Sequence, residues 1–188
     1  MRRIPLLILS CLLVCSSRAA LADTILSFSS TPDLISLGSM VTLRAQVSGA
    51  ADLFAFQFDL SYDPAILQLD SVSEGSFLPS VGTTFFLPGS IDSSSGTASF
   101  VSDTLLGTGP GASGSGDLVE LTFTVLSSGV SPLTLSNVIL LDSVGADLPA
   151  VVVPGNLTAP EPGMLWLALI GAFFLVLPKR VRGAIGST

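Results

Sequence analysis

Apolar and polar residues alternate along the central part of this 188-residue chain, and this period of two most constrains its fold. The clearest run turns one set of large, mostly aromatic side chains to a single face: Phe54, Phe56, Phe58, Leu60 and Tyr62. Small or polar residues occupy the opposite face: Ala55, Gln57, Asp59 and Ser61. The 3.6-residue spacing of amphipathic helices is almost absent between residues 23 and 158. The central stretch is therefore predicted to be all-β.

Turn-forming residues divide this stretch into roughly nine strands. Asp63-Pro64 closes the Phe54 strand, and Ser48-Gly49 precedes it. The strands are predicted near residues 24–28, 40–48, 53–62, 66–74, 83–88, 97–103, 117–127, 132–141 and 148–157. Residues 107–116, which are rich in Gly and Ser, are predicted to form a flexible connector. Short strands at this spacing predict a β-sandwich or jelly roll.

The charged residues are segregated along the chain. The stretch from Asp23 to Glu161 holds all 14 acidic residues and a single basic residue, Arg44, and so carries a formal charge of −13. Such a field repels nucleic acid and anionic lipid. We therefore predict that the central stretch binds no nucleic acid. Its charge is typical of a soluble outer domain, or of one that attracts cations or a basic partner.

The N-terminus has the layout of an export signal. Met1-Arg2-Arg3 is followed by an apolar run over residues 4–15 and a small-residue segment. Ala20 and Ala22 fit the small-x-small pattern read by signal peptidase, with Asp23 as the first mature residue. The apolar run is short for a membrane span. Residues 1–22 are therefore predicted to be a signal peptide.

The C-terminus combines three features in order. Pro160, Glu161 and Pro162 precede an apolar run over residues 164–177, and a basic cluster at residues 179–182 follows. This arrangement resembles the PEP-CTERM sorting tail, which implies processing by a membrane-embedded exosortase in a Gram-negative bacterium that makes exopolysaccharide. Residues 159–188 are therefore predicted to be a sorting tail with a short transmembrane helix, and an ordinary tail anchor is the alternative.

Side chains for catalysis, metals and cofactors are scarce. Both cysteines, Cys11 and Cys15, lie in the N-terminal apolar run, and the chain has no His. The G-x-G-x-x-G pattern at residues 109–114 precedes a predicted strand rather than the helix that a dinucleotide site needs. Acid pairs such as Asp59 and Asp63 lack the aromatic surroundings of a sugar-cleaving cleft. We predict no catalytic residues, cofactor or metal site, and leave open a loop calcium site at residues 92–96.

The aromatic strand that runs into Tyr62-Asp63-Pro64, followed by Ile66-Leu67-Gln68-Leu69 and Gly75, resembles the same segment of a cohesin domain. Residues 96–100 and 116–123 resemble later strands of that family. The resemblance covers about residues 24–158, within a predicted domain over residues 23–158, and implies a nine-stranded jelly-roll sandwich related to carbohydrate-binding modules. It also implies a non-catalytic module that binds a dockerin-bearing protein or takes part in a polysaccharide-associated assembly.

The resemblance also indicates where a partner would bind. Well-known cohesins recognise dockerin, a module that folds around calcium, through an Asn and an Asp on the strand before Tyr-Asp-Pro. Aligned on Tyr62, these positions correspond to Ala55 and Gln57, so the polar pair is absent. We predict that Ala55, Gln57 and Asp59 form a partner face. Direct carbohydrate binding in the exopolysaccharide matrix is the first alternative, and a glycan hydrolase is the second.

Taken together, the two terminal segments predict an exported protein at the cell envelope, the outer surface or the extracellular matrix. The tail would hold it at the membrane transiently or stably. Signal peptidase and exosortase are the predicted processing enzymes.

Overall fold

The computed structural model describes residues 23–29 and 35–159, and these ranges form ten β-strands without a helix. The strands are β1 (Thr24–Phe28), β2 (Met40–Ser61), β3 (Leu67–Glu74), β4 (Thr84–Leu87), β5 (Ser90–Asp92), β6 (Thr97–Leu105), β7 (Ala112–Val125), β8 (Gly129–Asp142), β9 (Ala150–Val152) and β10 (Gly155–Ala159). In this part of the chain no helix has the length and apolar character needed to cross a bilayer. The predicted terminal helices lie outside the described residues, as do Ala20, Ala22, Pro160, Glu161 and Pro162.

The strands form two layers that share β2. Layer one has the order β9, β1, the first part of β2 (residues 40–48), β7 and β3. Layer two contains β4 and β5, then β6, the second part of β2 (residues 53–61), β8 and β10. All neighbouring strands are antiparallel except β1 and β9, which are parallel. The predicted β-sandwich is confirmed.

The core lies between the layers and consists of the inward side chains of both. Phe58 from layer two and Phe123 from layer one are fully buried, as the alternating pattern predicts. Tyr62, at the end of β2, packs edge-on against Phe123 with ring centroids 5.4 Å apart. Its hydroxyl accepts a hydrogen bond from the Leu69 N–H of β3 at 3.3 Å. Tyr62 therefore joins layer two to layer one.

The structure has ten strands where the sequence predicted nine. The predicted strands at 40–48 and 53–62 form the single strand β2, because residues 50 and 53 continue to pair with β7 through the intervening bend. Strand β5 was not predicted, and the predicted strand at 148–157 is divided into β9 and β10 around Pro154. The prediction of a flexible connector over residues 107–116 was wrong for its second half, since residues 112–116 belong to β7.

The bend in β2 is held by one carboxylate. Asp52 has a φ of 63°, and its Oδ1 accepts a hydrogen bond from the Gly111 N–H at 2.5 Å. Its Oδ2 accepts from the Ser143 hydroxyl at 2.5 Å. These hydrogen bonds lower the pKa of Asp52, with the Ser143 hydroxyl contributing most. The point where β2 passes from one layer to the other is thereby tied to the beginning of β7 and the end of β8.

Candidate interaction face

The surface of layer two that points away from the core is crossed by three rows of side chains, and we call it the outer face. Strand register defines the first two rows, and the contacts around Asp59 define the third. From one end of the face to the other, the rows are Phe85, Thr104, Ala55 and Leu141; then Leu87, Ser102, Gln57 and Ile139; then Gly89, Phe100, Asp59 and Asn137.

The three residues predicted as a partner face lie in successive rows of this surface. Ala55, Gln57 and Asp59 alternate along β2 with the buried Phe56 and Phe58, so all three point outward and are half-buried. The structure therefore places them together at the centre of the outer face. Their role in partner binding stays a prediction.

The outer face exposes large apolar side chains. Phe85 is 56% exposed, Leu87 46%, Ile139 45% and Phe100 66%. Phe85, Leu87, Ile139, Leu141 and Ala55 line an open depression of about 300 Å³. Apolar patches that remain on the surface of a folded domain often mark binding sites.

Asp59 is the only charged residue in the three rows, and its carboxylate is occupied by hydrogen bonds. Oδ1 accepts from the Phe100 N–H at 2.8 Å, and Oδ2 accepts from the Asn137 side-chain amide at 2.6 Å. These two donors lower the pKa of Asp59, the Phe100 N–H more than the amide. Asp59 is therefore an anion at neutral pH that organises its neighbours.

The opposite surface, on layer one, has polar central rows. The Arg44 Nε donates to Glu120 at 2.8 Å and lies 3.3 Å from Asp117. The hydroxyls of Thr42 and Thr122 lie 3.5 Å apart in the neighbouring row. These polar side chains contact one another on the surface. The central rows of layer one are therefore polar, whereas the outer face of layer two exposes apolar side chains.

The acidic pairs noted in the sequence serve local structure. Asp70 accepts from the Thr124 hydroxyl at 2.6 Å, and Asp142 accepts from two backbone N–H groups of its own turn. Asp92, in the loop considered for calcium, accepts from the N–H and hydroxyl of Ser94, and these bonds lower its pKa to about 2. Within residues 23–29 and 35–159, no three His, Cys, Asp or Glu side chains converge as metal ligands.

Sequence reasoning missed the apolar members of the outer face. Phe85 and Phe86 are adjacent, so alternation alone does not show which of the two points outward. Phe100 and Ile139 lie at or just beyond interruptions of strand pairing, where the period of two is lost. The sequence did contain one signal for this surface. Predicted strands 83–88 and 132–141 contain more apolar residues than their inward faces can bury, so some of these residues had to point outward.

Comparison with known proteins identifies the fold. A cohesin domain family model matches residues 31–156. A non-cellulosomal cohesin from the archaeon Archaeoglobus fulgidus is similar, with a TM-score of 0.60, 18% identity, and coverage of 78% of this chain and 98% of that one. A type II cohesin from the cellulosome of Acetivibrio cellulolyticus has a TM-score of 0.63, 17% identity, and coverage of 72% and 95%.

A third similar structure is a complex. The sixth cohesin of Acetivibrio cellulolyticus scaffoldin B, with a bound Cel5 dockerin mutant, has a TM-score of 0.60 and 21% identity, and the match covers 74% of this chain and 100% of that one. No curated protein matches the sequence. The family match includes more than half of the chain and confirms the predicted absence of catalysis, because cohesin domains are non-catalytic binding modules. The chain belongs to the cohesin domain family.

Proposed function

We propose that this protein is an assembly module that binds a dockerin-bearing protein through the outer face of layer two. The exposed apolar side chains of that face carry the proposal, because the central rows of the opposite surface are polar and already paired. Similar cohesin structures were determined with dockerins bound, which supports this partner class.

The character of the contact follows from the residues present. Ala55 and Gln57 stand where well-known cohesins carry Asn and Asp, and Leu87 and Ile139 flank Gln57 in the same row. The contact is therefore more apolar than in those cohesins. The excess of acidic residues favours a partner with a basic surface, which increases the association rate at low salt.

Binding can be tested with the full chain in mild detergent and a panel of calcium-loaded dockerin modules encoded in the same genome. Ile139→Asp places a charge in the centre of the face, and we expect it to weaken binding at least about tenfold. Val151→Asp is the matched control, because Val151 is similarly exposed, at 52%, but lies on β9 in layer one. Equal affinities for both variants would contradict the proposed face, and absence of dockerin binding by the wild type would contradict the function.

The same experiment separates the carbohydrate alternative. Dockerin binding requires calcium because the dockerin folds around it, so a chelator should abolish retention. Binding to a glycan array that survives the chelator would instead support direct carbohydrate recognition. The hydrolase alternative is excluded by membership of a non-catalytic family.

We also propose that the protein is exported and sorted to the cell envelope. The support is the order of basic, apolar and small residues over 1–22 and of Pro160-Glu161-Pro162, apolar and basic residues at the C-terminus. Mass spectrometry of the protein from its native host should show an N-terminus at Asp23 and a C-terminus near the Pro-Glu-Pro motif. An intact chain of 188 residues in the cytoplasm would contradict both signals.

A further inference from the structure

The third row of the outer face contains an exposed aromatic ring on an unusual backbone. Phe100 is 66% exposed and has a φ of 59°, in the left-handed region that side chains other than glycine rarely adopt. In β6, Leu60 pairs with Ala98 and Phe58 with Val101, so Ser99 and Phe100 together oppose Asp59. This is a β-bulge, a feature that redirects a side chain relative to its strand.

A second bulge lies on the other side of β2 at the same level. Gln57 pairs with Ile139 and Asp59 with Ser136, which leaves one extra residue in β8. Asn137, in this bulge, also has a left-handed φ, of 49°. The Asp59 carboxylate accepts from the Phe100 N–H on one side and the Asn137 amide on the other. One side chain therefore holds both bulges.

The Phe100 bulge is also supported from the edge of the layer. Gly89, between β4 and β5, packs so closely that a Cβ there would lie 2.4 Å from the Ser99 carbonyl oxygen and 3.0 Å from the Val101 nitrogen. Only glycine permits this approach. Phe100 is thus fixed by contacts on both flanks while its ring remains in solvent.

Fold stability does not account for this arrangement. An exposed ring contributes little burial, and a left-handed φ is unfavourable for a bulky residue such as Phe. Strained backbone that is firmly held by its surroundings is concentrated at binding and catalytic sites. Phe, like Tyr and Trp, is also enriched at protein interfaces relative to the rest of the protein surface.

We propose that Phe100 is the aromatic anchor of the outer face, inserting between apolar side chains of a dockerin, and that Asp59 is the positioning residue that holds it. This inference rests on the proposed function and adds the contact on which affinity depends. Each Asp59 oxygen accepts a hydrogen bond from this chain, which holds the carboxylate in place, while the ring of Phe100 projects into solvent where a partner can meet it.

Phe100→Gly tests the anchor, because glycine accepts the left-handed φ and removes only the ring. In the full chain, with the dockerin module that the wild type binds, we expect at least about a tenfold loss of affinity. The urea midpoint should not fall, since relief of the strained φ offsets the added freedom of the unfolded chain. Phe100→Asn, a residue that tolerates this φ, should behave in the same way.

Asp59→Asn in the wild-type and Phe100→Gly backgrounds tests the positioning role. We expect weaker binding in the first background and no further change in the second, because the anchor is already absent. A similar loss in both backgrounds would mean that Asp59 acts on binding other than through Phe100, by direct contact or through the Asn137 bulge, and would overturn its role in positioning Phe100. Unchanged affinity in Phe100→Gly would overturn the anchor alone, whereas a wild type that binds no dockerin overturns the proposed function and the anchor with it.

Discussion

Tyr62, Asp63 and Pro64 show how single residues connect the sequence pattern to the fold. The Asp63 Oδ1 accepts a hydrogen bond from the Ala65 N–H at 2.9 Å, two residues along the chain, as expected for a turn of this composition. The Tyr62 hydroxyl and ring both contact layer one. The predicted turn at Asp63-Pro64 is therefore present, and the contacts of Tyr62 and Asp63 within the fold explain their presence without a role in recognition.

Asp103 is a residue whose surroundings oppose its charge. It lies on the inward side of β6 and is 2% exposed, and within the described ranges neither of its carboxylate oxygens has a hydrogen-bond partner. Burial, and secondly the nearby Glu74 carboxylate, raise the pKa of Asp103 to about 7. Glu74 itself accepts from the Thr84 hydroxyl. The Asp103 carboxyl therefore holds its proton over most of the acidic range in the folded protein.

This raised pKa predicts that stability falls as pH rises. Between the unfolded value near 4 and about 7, the folded chain retains a proton that the unfolded chain has released, so raising the pH favours unfolding. The contribution is complete below pH ~4 and lost above pH ~7. Asp103→Asn should remove most of this decline and give the higher urea midpoint at pH 8.

Glu74→Gln provides the matched comparison for this prediction. It removes the neighbouring charge but leaves Asp103 buried, so the decline should move to lower pH without disappearing. Parallel wild-type and Asp103→Asn profiles from pH 4 to 8, measured by urea denaturation, would contradict the assignment. Sequence analysis did not identify Asp103, because the bulge at Phe100 interrupts the alternation from which inward positions are read.

At the scale of elements, β2 decides the architecture because it belongs to both layers. Its alternating pattern predicted two strands correctly in position but not their continuity. Ser48-Gly49 indicates a turn, whereas the chain bends at Gly49 and Asp52, both with left-handed φ, and continues to pair with β7. A local turn signal shows that the chain changes direction, but only the partner strand determines whether pairing is interrupted.

Asp52→Ala should loosen this bend. It removes the acceptor for the Gly111 N–H and the Ser143 hydroxyl, so the ends of β7 and β8 lose their connection to β2. Hydrogen exchange should become several-fold faster around residues 111–116 and 141–143 and change little at the centre of β7. Since the pKa of Asp52 is lowered, acidification of the wild type through that pKa should produce the same local opening.

The control for this prediction is Asp70→Ala, which removes a carboxylate that accepts from Thr124 on the exposed side of layer one. It should leave exchange at residues 111–116 unchanged. Uniform acceleration throughout the domain in Asp52→Ala would show that the contact supports global stability rather than the bend.

For the whole molecule, one core unites both layers, so they are expected to unfold together. Phe123 is fully buried and contacts Tyr62 across the interface between the layers. Phe123→Ala should reduce the free energy of unfolding by about 3–5 kcal/mol, a large part of the ~5–15 kcal/mol typical of a domain. For this variant, circular dichroism and hydrogen exchange measured in peptides from each layer should give the same urea midpoint.

The exposed Val151 supplies the comparison, because Val151→Ala should change stability by less than about 0.5 kcal/mol. Loss of protection in layer one alone after Phe123→Ala would contradict a shared core.

The sandwich and most of its core were predictable, because burial imposes alternation on each strand. Which surface would retain apolar side chains was not, since that depends on bulges and on pairing between strands distant in sequence.

The parallel alignment of β1 and β9 has a mechanical consequence. Because both strands run in the same direction, Asp23 enters at one end of the sandwich and the chain leaves through β10 towards the other. A pull applied between these two points acts lengthwise along the strands. Backbone bonds such as that from the Val153 N–H to the Leu26 carbonyl are then sheared as a group rather than unzipped one at a time.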